Sequence, residues 1–70
     1  MFAFNKHLKK IREDKNITQK QLAKDINISL SSIQNYERGS KKPSYDALIA
    51  LADYFNVSLD DLVGRNTPQN

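Results

Sequence analysis

Apolar residues recur along most of the chain at intervals of three and four, the spacing of a helix face. The stretch that organises the rest is Thr18 to Gly39, TQKQLAKDINISLSSIQNYERG, which reads as two short helices joined by a tight turn. Thr18 followed by Gln21 is a capping-box pattern, predicting a helix start at Thr18 with hydroxyl and amide each satisfying a free backbone N–H. Leu22, Ala23 and Ile26 form its apolar stripe, which stops at Asn27, a residue that tolerates the left-handed conformation. Ser29 caps the next helix, whose buried stripe is Ile33, Tyr36 and Glu37 and whose end is Gly39. The side left over carries Leu30, Ser31, Gln34, Asn35 and Arg38, a face that a small protein has no internal use for. Its amides and hydroxyls can hydrogen-bond base edges, and an apolar tip can meet a thymine methyl.

The remaining segments are helical too. Residues 4–15 place Phe4, Leu8 and Ile11 on one stripe, with Arg12 beside it and Lys6, Lys9, Lys10 and Glu13 elsewhere. Asn16 and Ile17 make a short link. After Gly39 the basic loop SKKPS leads through Pro43, which favours an extended Lys42, to Ser44 as a cap. A fourth helix over 45–55 carries Leu48, Leu51, Ala52 and Phe55 as its stripe, leaving Ile49 and Tyr54 off it. Val57 follows in the connection, and Ser58 with Asp61 repeats the cap pattern. Leu59, Leu62 and Val63 make a short lid ended by Gly64. No internal repeat is evident. The expectation is an all-α, compact five-helix bundle, one domain over 1–64, with RNTPQN (65–70) as a flexible tail.

Seventy residues make one domain at most, which hides only about 60% of its unfolded surface on folding. That leaves no room for a catalytic cleft and its supporting shell. With no cysteine there is no disulfide or thiolate metal site, and the composition is consistent with a reducing cytosol. His7, the single histidine, makes no metal site and reads as a surface residue, and Asp60 with Asp61 read as helix-capping charges rather than an acid/base pair. No enzyme, metal or cofactor is expected, nor a membrane span, since no run of 18 apolar residues occurs. The net charge of +3 is unevenly placed: residues 1–42 hold ten of the eleven Lys and Arg but four of the eight Asp and Glu. A chain with its cations gathered around one element is oriented by the field of a polyanion before contact.

The ordered set TQ..LA, S...I..YE.G, a proline, and L..LA..F.VS.D.L.G resembles the phage repressor and Cro type of helix-turn-helix domain, the xenobiotic-response-element family, from about Leu8 to Gly64. The resemblance implies a lambda repressor-like DNA-binding domain and a transcriptional regulator of the repressor sort, acting in the cytoplasm on a double-stranded DNA operator. Its second motif helix would enter the major groove while the preceding helix spans the backbone. Carried over, Leu30, Ser31, Gln34 and Asn35 are the base-contacting positions, and Gln19, Lys20, Arg38, Ser40, Lys41 and Lys42 the phosphate-contacting ones. It also implies an ion pair between Arg12 and Glu37, which answers a difficulty of the sequence itself, because a carboxylate on the buried side of a helix needs a partner. Asn27 stands where the family commonly has glycine. Specific affinity from so short a reading helix calls for two copies on half-sites about 34–36 Å apart, hence a homodimer on an inverted repeat. Ile49, Tyr54, Val57 and Leu59 are the apolar residues left for pairing, or for finishing the monomer core. The alternative reading is an antitoxin-like interaction module that holds a protein partner and binds DNA secondarily.

Overall fold

A hydroxyl opens four of the five helices. The computed structural model describes residues 3–64, so the tail expected at 65–70 lies outside the described residues. The elements are α1 (Phe4–Asp14), α2 (Gln19–Asp25), α3 (Leu30–Arg38), α4 (Tyr45–Phe55) and α5 (Leu59–Val63), within a residue of the predicted bounds. Thr18, Ser29, Ser44 and Ser58 accept from the backbone N–H groups of Gln21, Ser32, Ala47 and Asp61 at 3.0–3.1 Å. Each such cap stabilises its helix by about 1 kcal/mol. Only half of the capping box expected at Thr18 forms. The Gln21 amide instead donates to Asp25 Oδ1 one turn on, at 2.7 Å.

The sequence reading saw no repeat, yet one three-residue connector is used three times: Asn16-Ile17-Thr18, Asn27-Ile28-Ser29 and Asn56-Val57-Ser58. In each the asparagine takes a left-handed backbone, with φ of 58°, 57° and 57°. The next residue returns its N–H to the last turn of the helix just ended: Ile17 to Arg12 O at 3.2 Å, Ile28 to Ala23 O at 3.0 Å and Val57 to Ala52 O at 3.0 Å. These bonds satisfy carbonyls a helix end leaves free, and the β-branched side chain packs on the core. The third residue caps the helix that follows.

Short helices of this kind are not stable alone, so packing decides the fold. The core consists of Leu8, Leu22, Ala23, Ile33, Leu51, Ala52, Phe55 and Leu62. α1 packs on α3 and α5, α2 on α3, and α4 on α5. On α4, Leu51, Ala52 and Phe55 lie in the core and Leu48, half-buried, packs against it, while Ala47, off the expected stripe, is buried as well.

Arg12 and Glu37 are each only 8% exposed, and they face one another across α1 and α3. Arg12 Nε donates to Glu37 Oε2 at 2.6 Å and Nη2 to Oε1 at 2.9 Å, a two-pronged pair. Its third arm, Nη1, donates to the Ile17 carbonyl at 2.7 Å. The Glu37 hydrogen bond raises the Arg12 pKa against the lowering effect of burial, so the guanidinium stays charged.

Two outcomes follow from these contacts. Arg12→Ala and Glu37→Ala each lower the unfolding free energy by about 3 kcal/mol or more, because each strands a buried charge, whereas replacing both with apolar residues of similar volume costs far less. Urea denaturation of the two single variants and the apolar double variant measures this, and single variants as stable as wild type would contradict it. Asn27→Gly is neutral or stabilising, while Asn27→Ala costs about 1 kcal/mol, because alanine keeps the Cβ in the left-handed region and lacks the short polar side chain that lets asparagine tolerate it. A clear loss on the glycine change, read by thermal melting, would mean that the asparagine side chain does more than turn the chain.

Candidate functional site

With Ile33 and Glu37 turned inward, the 100° step of a helix fixes what α3 shows outside. Leu30 is 38% exposed, Ser31, Gln34 and Arg38 are exposed, and Asn35 is half-buried. Ser31, Gln34, Asn35 and Arg38 therefore share one side of α3, and Leu30, two turns before Glu37, is exposed at its N-terminal end.

Asn35 is the best-held of them. Its Oδ1 accepts from Arg38 Nη2 at 2.8 Å and from Ser40 Oγ at 3.1 Å. Its backbone carbonyl accepts from the N–H groups of Gly39, Ser40 and Lys41 at 3.0, 3.1 and 3.4 Å, which folds the start of the basic loop back onto the helix end. Gly39 has φ +84° there, and a Cβ on it would stand 3.3 Å from the Asn5 amide, which itself donates to the Glu37 carbonyl.

The expected phosphate-contacting residues border the same side. Lys20, Arg38, Ser40, Lys41 and Lys42 are exposed. Gln19 is half-buried, and its Nε2 donates to Glu37 Oε1 at 3.0 Å, so the first residue of α2 is fastened to the ion pair behind α3. An open polar cleft between α1, α2 and α3 is lined by Lys9, Gln19, Gln34, Glu37 and Arg38. Lys9 was not among the sequence-derived site residues. A signal for it existed: Lys9 is three residues before Arg12, so once Arg12 reaches Glu37, Lys9 must border the same interhelical cleft.

Elsewhere the structure adds to the expectations. His7 is not an idle surface residue: its Nε2 lies 3.0 Å from the Asp61 carbonyl oxygen and joins α1 to α5. No His, Cys, Asp and Glu cluster with metal-binding geometry occurs among the described residues. Of the four residues set aside for pairing, Tyr54, Val57 and Leu59 pack against the core, whereas Ile49 is half-buried and stands outside that group. The Tyr54 hydroxyl donates to Asp25 Oδ2 at 2.6 Å, tying α4 to α2, and this hydrogen bond keeps its pKa above the usual phenol value. No helix among the described residues is long and apolar enough to cross a membrane.

Five short helices with the second and third joined by a tight turn through a left-handed asparagine, and the outer side of the third left uncovered, define a helix-turn-helix domain. A helix-turn-helix family profile matches residues 8–62. The chain is 38% identical over 64 residues to the HTH-type transcriptional regulator ImmR of Bacillus subtilis (strain 168), a match covering 91% of this chain and 50% of that protein. It is 44% identical over 50 residues to the cryptic phage CTXphi transcriptional repressor RstR of Vibrio cholerae, covering 71% of this chain and 45% of the relative. Among solved structures, a transcriptional regulator from Listeria innocua superposes with a TM-score of 0.83 at 31% identity, over 97% of this chain and 62% of that one. The chain belongs to the Cro/C1-type helix-turn-helix family of DNA-binding transcriptional regulators, and enzymatic activity is no part of that assignment. It spans about half the length of the curated relatives it matches.

Proposed function

We propose that the chain is the reading domain of a sequence-specific repressor that inserts α3 into the major groove of an inverted-repeat operator, two copies at a time, in the cytoplasm at the nucleoid. The observation that carries this is the uncovered outer side of α3, with polar residues and one exposed leucine, on a helix whose inner side is fixed by Ile33 and Glu37. Leu30, Ser31, Gln34 and Asn35 then face base edges, Leu30 offering only an apolar contact. Gln19, Lys20, Arg38, Ser40, Lys41 and Lys42 hold phosphates and set the register, and Lys9, on the rim of the polar cleft, joins them.

Pairing is assigned to the outer side of α4. Ile49 is left over by the core, and Tyr45, one helical turn before it, is 69% exposed. The antitoxin-like reading is disfavoured, because it calls for a broad exposed apolar patch on α4 and α5. Among the described residues the exposed large hydrophobics are Leu30 and Tyr45.

Selection of bound DNA from a random pool at two salt concentrations tests the assignment. The expected result is an inverted repeat with half-site centres about 34–36 Å apart. Lys41→Ala weakens binding to every sequence alike and flattens the salt dependence by about one unit of slope, as loss of one phosphate contact requires. Recovery of no enriched sequence would refute the repressor reading. Sedimentation at about 100 μM protein, in the range where weak pairs form, is expected to show dimer that Ile49→Asp abolishes, a concentration set by typical micromolar affinities. A wild-type monomer there would count against self-association through α4.

A further inference from the structure

We infer that Asn35 reads DNA as a hydrogen-bond donor only, through Nδ2, so that it favours a base with a keto oxygen in the major groove, guanine or thymine, over adenine and cytosine. The inference rests on the function proposed above and specifies one of its contacts.

Its basis is the occupancy of the Asn35 amide. A guanidinium has five N–H donors and no acceptor, so the atom facing Arg38 Nη2 at 2.8 Å must be the amide oxygen. The Ser40 hydroxyl, 3.1 Å from the same oxygen, shares its proton between that oxygen and the Asn35 backbone carbonyl 3.4 Å away. Both partners are close in sequence, and Ser40 is held by its own N–H donating to the Asn35 carbonyl at 3.1 Å. The orientation is therefore set before any nucleic acid arrives.

An asparagine with a free amide reads adenine with two bonds, accepting from N6–H and donating to N7. Here the accepting half is already engaged, and Nδ2 is what remains. In the major groove guanine offers two acceptors, O6 and N7, and thymine offers O4, whereas cytosine shows only the N4 donor and adenine a single acceptor, N7, beside an N6 donor that would confront Nδ2. Arg38 thus serves twice: one arm holds Asn35 and the rest of its guanidinium is free for a phosphate. Arg38 and Ser40 are positioning residues for this contact.

The test is selection from a random DNA pool with the 70-residue chain and three variants, thermal melts confirming that each is folded. Wild type is expected to enrich guanine or thymine over adenine and cytosine, by about fivefold or more, at one position per half-site. Asn35→Ala erases the preference there and nowhere else. Asn35→Asp keeps an oxygen for Arg38 and Ser40 but puts a second acceptor where Nδ2 stood, so the preference inverts to cytosine or adenine. Arg38→Met combined with Ser40→Ala frees Oδ1, and adenine becomes accepted at that position while the others hold. Enrichment of adenine by wild type at the position that Asn35→Ala erases would overturn the inference, as would a motif that Asn35→Ala leaves unchanged. A keto preference that survives in the Arg38→Met/Ser40→Ala variant would overturn the role of those two residues. Absence of any enriched motif with wild type would instead bring down the proposed function, and this contact with it.

Discussion

The ion pair between Arg12 and Glu37 fixes the rotation of α3 about its own axis, and everything that helix can show to the outside depends on that rotation. Apolar contacts at Ile33 draw the helix inward, but hydrophobic attraction has no direction, and a helix held by it alone can roll by a fraction of a residue step. A carboxylate gripped at 2.6 and 2.9 Å by two nitrogens of a planar fork cannot roll without breaking both bonds. The same guanidinium takes the Ile17 carbonyl and the same carboxylate takes the Gln19 amide, so one pair reaches α1, the link after it, the first residue of α2 and α3. Lysine in place of Arg12 would supply the charge but not the fork. A wholly apolar substitute would match the pair in stability and lose the angular restraint.

The connections have a related economy. Each of three uses one asparagine to reverse the backbone, one β-branched residue to plug the core and one hydroxyl to start the next helix. The exception is the link after α3, where glycine makes the turn and Ser40, Lys41, Lys42 and Pro43 follow before Ser44 caps α4. The chain lengthens, and becomes basic, at the end of the helix proposed to lie in the groove. A three-residue link plugged into the core would leave no lysines free at that place, so the departure from the pattern makes sense as a response to the DNA backbone rather than to folding.

How much of this was written in the linear chain differs from element to element. Apolar spacing located all five helices, since a stripe at three and four residue intervals has few other readings, and serine or threonine before each stripe marked four starts. Spacing could not say how far round α4 the buried side extends: Leu48 packs against the core as its stripe predicts, and Ala47, off the stripe, is buried too. A capping box needs Gln21 to accept from the Thr18 N–H, but its side chain instead donates to an aspartate one turn on. The Arg12 and Glu37 pairing came from the family resemblance, with the sequence supplying only the need for a partner. The engagement of the Asn35 amide is not legible in the sequence, because which donors reach which acceptors on an exposed helix face depends on side-chain torsions that no periodicity encodes.

A reading face has to be free and yet already ordered. An exposed amide and an exposed arginine each sample several rotamers, and fixing them on a DNA surface costs about 0.5–1.5 kcal/mol per side chain. Hydrogen-bonding Asn35 to Arg38 and Ser40 shifts that cost from binding to folding, where it is offset by the bonds formed. The consequence is a loss of versatility, since an amide held at its oxygen presents one polarity to whatever it meets. Gln34 and Ser31, exposed on the same side of α3, have no such tether among the hydrogen bonds of the described residues and remain able to donate or accept. On the proposed reading, one helix face would combine a contact of fixed polarity with neighbours that adapt, and discrimination between sequences would fall chiefly to the fixed one, because an adaptable side chain can satisfy the wrong base as readily as the right one.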